Sequence, residues 1–531
     1  MNTSVTRVIG IVHRRKKTKD EEKRPTQVAI QIGGKVVKYN LETETDELDF
    51  LLGRFPISYQ EITDRQLDLS RFQRHHITWR KVGPTERIED YHESHIRQVG
   101  KVHEIAGKIP KEYEGLAPGD AVAMPLGGSG DRFAAALSRR GEEIGARAFR
   151  IPPMMLKTLR GSADKDENCS ILARELSVKL AGANADMRPF YQLRARDRSL
   201  IRVKEAFTLR EQAMKNRIAV SAQIEQAAIG RIFLNEEGRY PEGEIEEQLR
   251  ELQASDVILQ GMQDEEDRRM KELEQAVYLV PIWPLFKSIK GVGVATGARL
   301  IAAIGDIRRF WVDPDPVRME ESYAESRRLE KLGKLDEDLD KVASRVNSST
   351  TQFQILQMVR SWKQVHGKQQ EALYLTQAIA EHEKRSKLRR EAMERGKYKL
   401  RAFCGVHVLQ GGKYADVSPE KSFPRRRSGQ VCNWHPWARQ ALYLLGEQFN
   451  RRPDSEWGKK LLHCKALRRA AHPEVVTSED GKKRHTNGHI HKSGIWKVLS
   501  RFVDHIFQEW TRLEKEQMRA EQERSSVSDA A

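Results

Sequence analysis

Cysteine is scarce: Cys169, Cys404, Cys432 and Cys464 are the only ones in 531 residues, and none form a CxxC pair. That excludes a disulfide-stapled secreted scaffold and fits reduced thiols. Cys432 with His435, and His463 with Cys464, are spaced too irregularly for a zinc motif. Long apolar runs are also missing, since no stretch approaches the roughly 20 residues that cross a bilayer. The opening MNTSVTRVIGIVHRRKK lacks a signal peptide's order of charge, apolar run and cleavage site. A cytoplasmic protein without a membrane partner is the expectation. Acid is in deficit, with 76 Asp and Glu against 93 Lys and Arg, a net charge of +17 and a pI near 9.5. A polyanion is the partner such a balance favours, nucleic acid before membrane. At 38% hydrophobic residues the chain has enough apolar surface for roughly two to four domains.

What is present begins with an α/β pattern. Val5–Val12, Gln27–Ile32 and Lys35–Tyr39 are apolar, β-branched segments, the last two joined at Gly33-Gly34, which predicts three strands with a hairpin. Asp120–Met124 predicts another strand. A glycine turn (Gly127-Gly128-Ser129-Gly130), a helix from about Asp131 to Arg140 and a strand at Ala146–Ile151 follow, the order of a partly parallel sheet. Leu41–Gly119 interrupts this pattern and carries a basic, aromatic run, Phe72 to Lys81, a candidate nucleic-acid contact. From Met187 the chain turns helical, with Arg194, Arg196, Arg198, Arg202 and Lys204 forming a basic run. Ile245, Leu249, Leu252, Leu259, Met270, Leu273 and Val277 then fall on one seam, broken by Asp256, Gln263 and Glu266, as in a helical hairpin or a dimer.

The segment Pro281–Phe310, PIWPLFKSIKGVGVATGARLIAAIGDIRRF, has an aromatic approach, a turn at Lys290-Gly291-Val292-Gly293 and an apolar helix. Two glycines one residue apart let the backbone bend, and the first amides of the next helix have no intrahelical acceptor. This is the pattern of a helix-hairpin-helix, which holds a phosphate backbone through amides and a nearby lysine. The segment closely resembles the start of the C-terminal domain of the DEDD insertion-sequence transposases, the family that includes the Piv invertases.

Several expectations follow from that resemblance. The fold is α/β plus mainly α. An RNase H/RuvC-like domain is expected over 1–185, with its insertion near 41–119, and a coiled-coil linker over 186–280. The transposase domain covers 281–310 and 398–510, split by a helical insertion at 311–397, and a charged tail that frays into disorder follows at 511–531. Within that insertion, Leu329 to Val346 reads as one helix and Phe353–Leu375 as a second. The family's metal-binding carboxylates would lie at three places. Gly10-Ile11-Val12-His13 matches the first with valine in place of aspartate. Ala123-Met124-Pro125-Leu126 matches the second with proline in place of glutamate. Asp164 and Glu167 match the third, three residues apart on one helix face, and remain as candidate Mg²⁺ ligands; capping of a helix start is their alternative role.

The nucleophilic serine of the family falls either at Gly411-Gly412-Lys413, where it would be replaced by glycine, or at Ser428 beside Gly429. Arg425, Arg426 and Arg427 next to Ser428 would stabilise charge on a phosphate or simply bind one. Asn433, Arg439 and Leu442 match a following family motif, and His485, His489 and His491 lie in another. Lys290, Gly291, Gly293, Arg425, Arg426, Arg427 and Arg439 are therefore the candidate nucleic-acid contacts. Two functions fit: a DNA recombinase, RNA-guided in several members of the family, that assembles as a homo-oligomer through its coiled coil; or a nucleic-acid-binding protein that kept the architecture and lost the chemistry.

Overall fold

The computed structural model describes residues 7–15, 17, 22–182, 187–238, 244–347, 350–407, 424, 432–477 and 483–530. The chain divides into two compact units, Met1–Ile201 and Arg202–Ala531.

In the first unit, β1 (Val8–Val12), β2 (Thr26–Ile32) and β3 (Lys35–Leu41) form an antiparallel meander. Gly33 and Gly34 supply the turn, both at positive φ, which side-chain-bearing residues rarely adopt. Helix α1 (Glu44–Leu51) follows, started by a Thr43/Asp46 capping box. The chain then builds a second sheet from β4 (Phe55–Glu61), β5 (Thr78–Lys81), β6 (Ile96–Val99) and β7 (Val102–Glu114), with β7 pairing to the other three. It has its own small core of Leu69, Ile77, Ala106 and Ile109. The main sheet resumes with β8 (Ala121–Pro125), α2 (Asp131–Ile144), β9 (Arg147–Ile151), α3 (Pro153–Arg160), α4 (Asn168–Ala181) and the short β10 (Tyr191–Gln192). Its strand order is β10-β9-β8-β1-β2-β3, with β8 parallel to both β1 and β9.

Every residue of β1 is buried, as an apolar run covered on both faces should be. Ile9 and Ile11 point to one core with Phe133 and Leu137 of α2. Val8 and Val12 point to the other with Leu172 and Leu176 of α4. A Cβ on Gly10 would run into the Cys169 carbonyl, so α4 crosses directly over β1 with its first turn against the middle of that strand.

The second unit is helical. Helix α5 (Ala195–Phe233) begins in the first unit and continues here, followed by α6 (Ile245–Ser255) and α7 (Val257–Tyr278). Two of the three residues that interrupt the heptad seam have structural roles. Asp256 caps α7 by accepting from the Leu259 amide at 2.8 Å. Glu266 is buried and takes Arg210 at 2.8 Å and Arg217 at 2.7 Å, both on α5. Helices α8 (Trp283–Ser288) and α9 (Val294–Ile304) form the hairpin segment.

Beyond it, α10 (Pro316–Leu332) stops at Gly333, so the single helix expected through Val346 does not form; 3-10 turns cover Asp336–Lys341 and Ala343–Arg345 instead. A Cβ on Gly333 would meet Leu375 at 2.6 Å, and Lys334 has a φ of 45°, so the chain turns there to pack on a neighbouring helix. The second expected helix is also divided, into α11 (Gln352–Val365) and α12 (Gln369–Cys404), at Gly367 with φ +74°. Lys363, fully buried, holds this region together through Asp338 and Glu371. Helices α13 (Pro436–Arg451), α14 (Glu456–Ala471) and α15 (Asn487–Ala530) complete the unit. The tail expected to fray from residue 511 is helical instead, as α15 continues to Ala530; Trp311 donates to Thr511 at 3.1 Å, and Thr511 and Glu514 are both buried.

Candidate nucleic-acid interface

The α8–α9 hairpin is fixed by close packing. Gly297 on α9 has no room for a side chain because Trp283 of α8 stands 2.7 Å from where its Cβ would be. Val292 closes the turn by donating to the Ile289 carbonyl at 3.0 Å. The two turn glycines differ. Gly291 sits at φ +102°, and an added Cβ would meet Gln448 of α13 at 3.2 Å, with the Arg452 guanidinium 3.8 Å away. Gly293 is the residue before α9, exposed, in an extended conformation, with nothing within 4 Å of an added Cβ. No side chain caps α9. Its first amides therefore open past Gly293, with exposed Lys290 and the guanidinium of Arg452 around the turn.

Arg439 has a different setting. Its guanidinium donates to the Gly405 carbonyl and, at 2.9 Å, to the Pro424 carbonyl. It also lies over the rings of Trp434 and Trp496, 4.6 and 4.3 Å from their centroids. Those bonds close the end of α12 and direct its charge inward. Ser428, Arg425, Arg426 and Arg427, like Gly411-Gly412-Lys413, lie outside the described residues. Beside this region, burial pushes His435 down to about 4, helped by Arg309 and Lys204. Its ring lies 5.1 Å from Phe403 and 5.8 Å from Trp437, a packing position. His485 stacks on His472 with ring centroids 3.9 Å apart, while His491 faces Glu447 at 3.9 Å.

In the first unit, the third carboxylate position is occupied by residues with structural partners. Asp164 caps a 3-10 turn by accepting from the Asp166 amide at 3.1 Å. Glu167 pairs with Lys38 of β3 at 2.7 Å, and that hydrogen bond holds its carboxyl below the ordinary value. Val12 ends β1 and Pro125 ends β8, neither with a side-chain ligand atom. A set of one capping carboxylate, one carboxylate neutralised by lysine, a valine and a proline does not fit Mg²⁺, which needs anionic oxygens to replace its water.

Two clusters form from residues that are far apart in the sequence. Asp49 of α1 is buried and takes His75 at 2.8 Å, His76 at 2.6 Å and Arg54 at 2.8 Å. In the sequence His75 and His76 stand out only as part of a basic run. Ligands about 2 Å from one tetrahedral zinc stand roughly 3.3 Å apart. The shorter spacing, with an arginine on the same carboxylate, is that of a hydrogen-bonded hub tying α1 to the second sheet. The other cluster lies where β1 and β8 end: His13 contacts Ser129 and Glu47, at 3.0 and 3.2 Å. The only signal for it in the sequence is the pairing of a glycine turn with a polar residue after the first strand. No helix among the described residues is long and apolar enough to cross a membrane. No protein-family model matches this chain, and no curated protein sequence aligns with it significantly.

Proposed function

We propose that this protein binds nucleic acid through the α8–α9 turn, on an architecture like that of the DEDD transposases but without their magnesium chemistry at the matching positions. The observation that carries the reading is the uncapped start of α9 behind an unobstructed Gly293, with exposed Lys290 in the same turn and Arg452 near Gly291. A phosphate there accepts from amides and meets positive charge on the same side, which gives grip without base recognition. The net charge of +17 supports a polyanionic partner.

The order of the main sheet supports an RNase H/RuvC-like reading of the first unit: three antiparallel strands, then two parallel ones beyond the first. That same order is the observation favouring the second reading, an active recombinase that recruits other carboxylates. Strand cleavage by wild type and by Asp164→Asn, each in Mg²⁺ and Mn²⁺, separates the two. No cleavage in either supports the binding reading, and metal-dependent cleavage lost in the variant would establish the recombinase. Phe233, Leu234, Val257 and Ile258 are exposed apolar residues at helix ends of the coiled-coil region, which supports assembly of copies through it.

The binding test uses duplex DNA, single-stranded DNA and RNA of random sequence across a salt series. Gly293→Val is expected to lower affinity for the bound form about tenfold and to flatten its salt dependence, and Lys290→Ala to lower the slope by about one phosphate contact. Unchanged affinity in a folded Gly293→Val protein rejects the hairpin as the contact.

A further inference from the structure

The carboxyl ends of neighbouring parallel strands are where an open α/β sheet presents its chemistry, and here β1 and β8 are such a pair. His13 follows β1, and the turn Gly127–Gly130 follows β8. His13 Nδ1 lies 3.0 Å from Ser129 Oγ, and its Nε2 lies 3.2 Å from Glu47 Oε1. Burial falls in one order: Ser129 is exposed, the His13 side chain is 14% exposed and that of Glu47 9%.

Glu47 is held in turn. Thr26, fully buried, donates to its Oε1 at 2.5 Å, and Arg14 approaches its Oε2 at 3.6 Å. Burial acts to raise the Glu47 carboxyl, but the bonds to His13 and Thr26 outweigh it and keep it below its ordinary value. An ionised carboxylate only accepts, so the neutral ring of His13 carries its proton on Nε2 and turns the Nδ1 lone pair toward the Ser129 hydroxyl. The turn is shaped for this approach. A Cβ on Gly130 would meet His13 Cβ at 2.9 Å and Cγ at 3.3 Å, so only glycine lets the ring come that close. Gly127 and Gly128, at φ +89° and +78°, have open space around them, which leaves Ser129 accessible from solvent.

We propose that Ser129, His13 and Glu47 form a nucleophile, base and carboxylate relay that takes the acyl group of a small carboxylic ester. Ser129 Oγ attacks the carbonyl carbon while its proton passes to His13 Nδ1. The ester C–O bond breaks, the leaving alkoxide takes that proton, and the acyl group stays on Ser129. Water then attacks the acyl carbon, giving a proton to His13, and Ser129 leaves with that proton as the carboxylic acid departs. Glu47 keeps the ring in the required tautomer and stabilises the imidazolium formed in each half. The proposal does not depend on the nucleic-acid reading, because its test contains no nucleic acid.

The full chain is treated with an alkyl fluorophosphonate, the modified residue is located by peptide mass spectrometry, and release of p-nitrophenol from p-nitrophenyl acetate is followed. The expected result is labelling at Ser129, absent in Ser129→Ala, an exposed position whose substitution keeps the fold. His13→Gln is expected to slow labelling roughly 100-fold or more. Glu47→Gln slows it at least about tenfold through the tautomer, with circular dichroism confirming that the buried site still folds. Labelling that is unchanged in Ser129→Ala, or equally fast in wild type and His13→Gln, overturns the proposal.

Discussion

Two glycine turns lead into helices in this chain, and they use glycine for opposite purposes. Before α2, Gly130 is needed because His13 fills the space where a side chain would stand. Before α9, Gly293 faces empty space, and its neighbour Gly291 carries the conformational demand at φ +102°. The first turn draws a side chain of the protein inward. The second leaves a helix start bare to solvent. A glycine-rich loop is thus not one kind of site; what stands against the missing Cβ decides whether the turn brings in a side chain of the protein or leaves backbone amides open.

The largest expected effect tests the division within the second turn. Gly291→Val forces a branched side chain into the left-handed region and against Gln448, which should cost about 3 kcal/mol in denaturant unfolding. Gly293→Val, with an extended backbone and open space, should stay within about 1 kcal/mol of wild type. Equal destabilisation by the two would erase the distinction. Next comes Gly130→Ala. Its φ of −72° suits alanine, so the expected loss of about 2 kcal/mol comes from the crowding of His13 alone. A neutral result would mean that His13 yields freely and that the first turn is as open as the second. The smallest effect belongs to Asp164→Asn, where an exposed cap keeps most of its hydrogen bond, so thermal unfolding should shift by less than about 0.5 kcal/mol.

Much of the main sheet could be read in the sequence because its signals are local: Gly33-Gly34 between β-branched runs specifies a hairpin, and the unbroken apolar run at Val8–Val12 specifies a strand covered on both sides. The turn at Lys290–Gly293 was legible for the same reason. What escaped depends on contacts distant in sequence. Glu266 looked like a flaw in a heptad because Arg210 and Arg217 are about fifty residues away on α5. His13, Glu47 and Ser129 have no spacing that reveals them, since only strand order brings them together. Arg439 matched a motif of contact residues, yet its carbonyl partners and flanking indoles are visible only in three dimensions.

The helix Gln369–Cys404 starts within the segment expected as an insertion and ends beyond its expected boundary at residue 397. At 1.5 Å per residue it runs for about 54 Å without a seam. Gly396 on it is packed against Phe507 and the Phe310 carbonyl, while Leu375 lies nearer its other end in the core with Leu356 and Val359. The segment expected as an insertion is therefore geared to the helices around it rather than hung from them. Gaining or losing one residue along this shaft would turn everything beyond by about 100°, taking one end out of mesh. The lengths of the connecting loops are free to drift, but the phase between Leu375 and Gly396 is not.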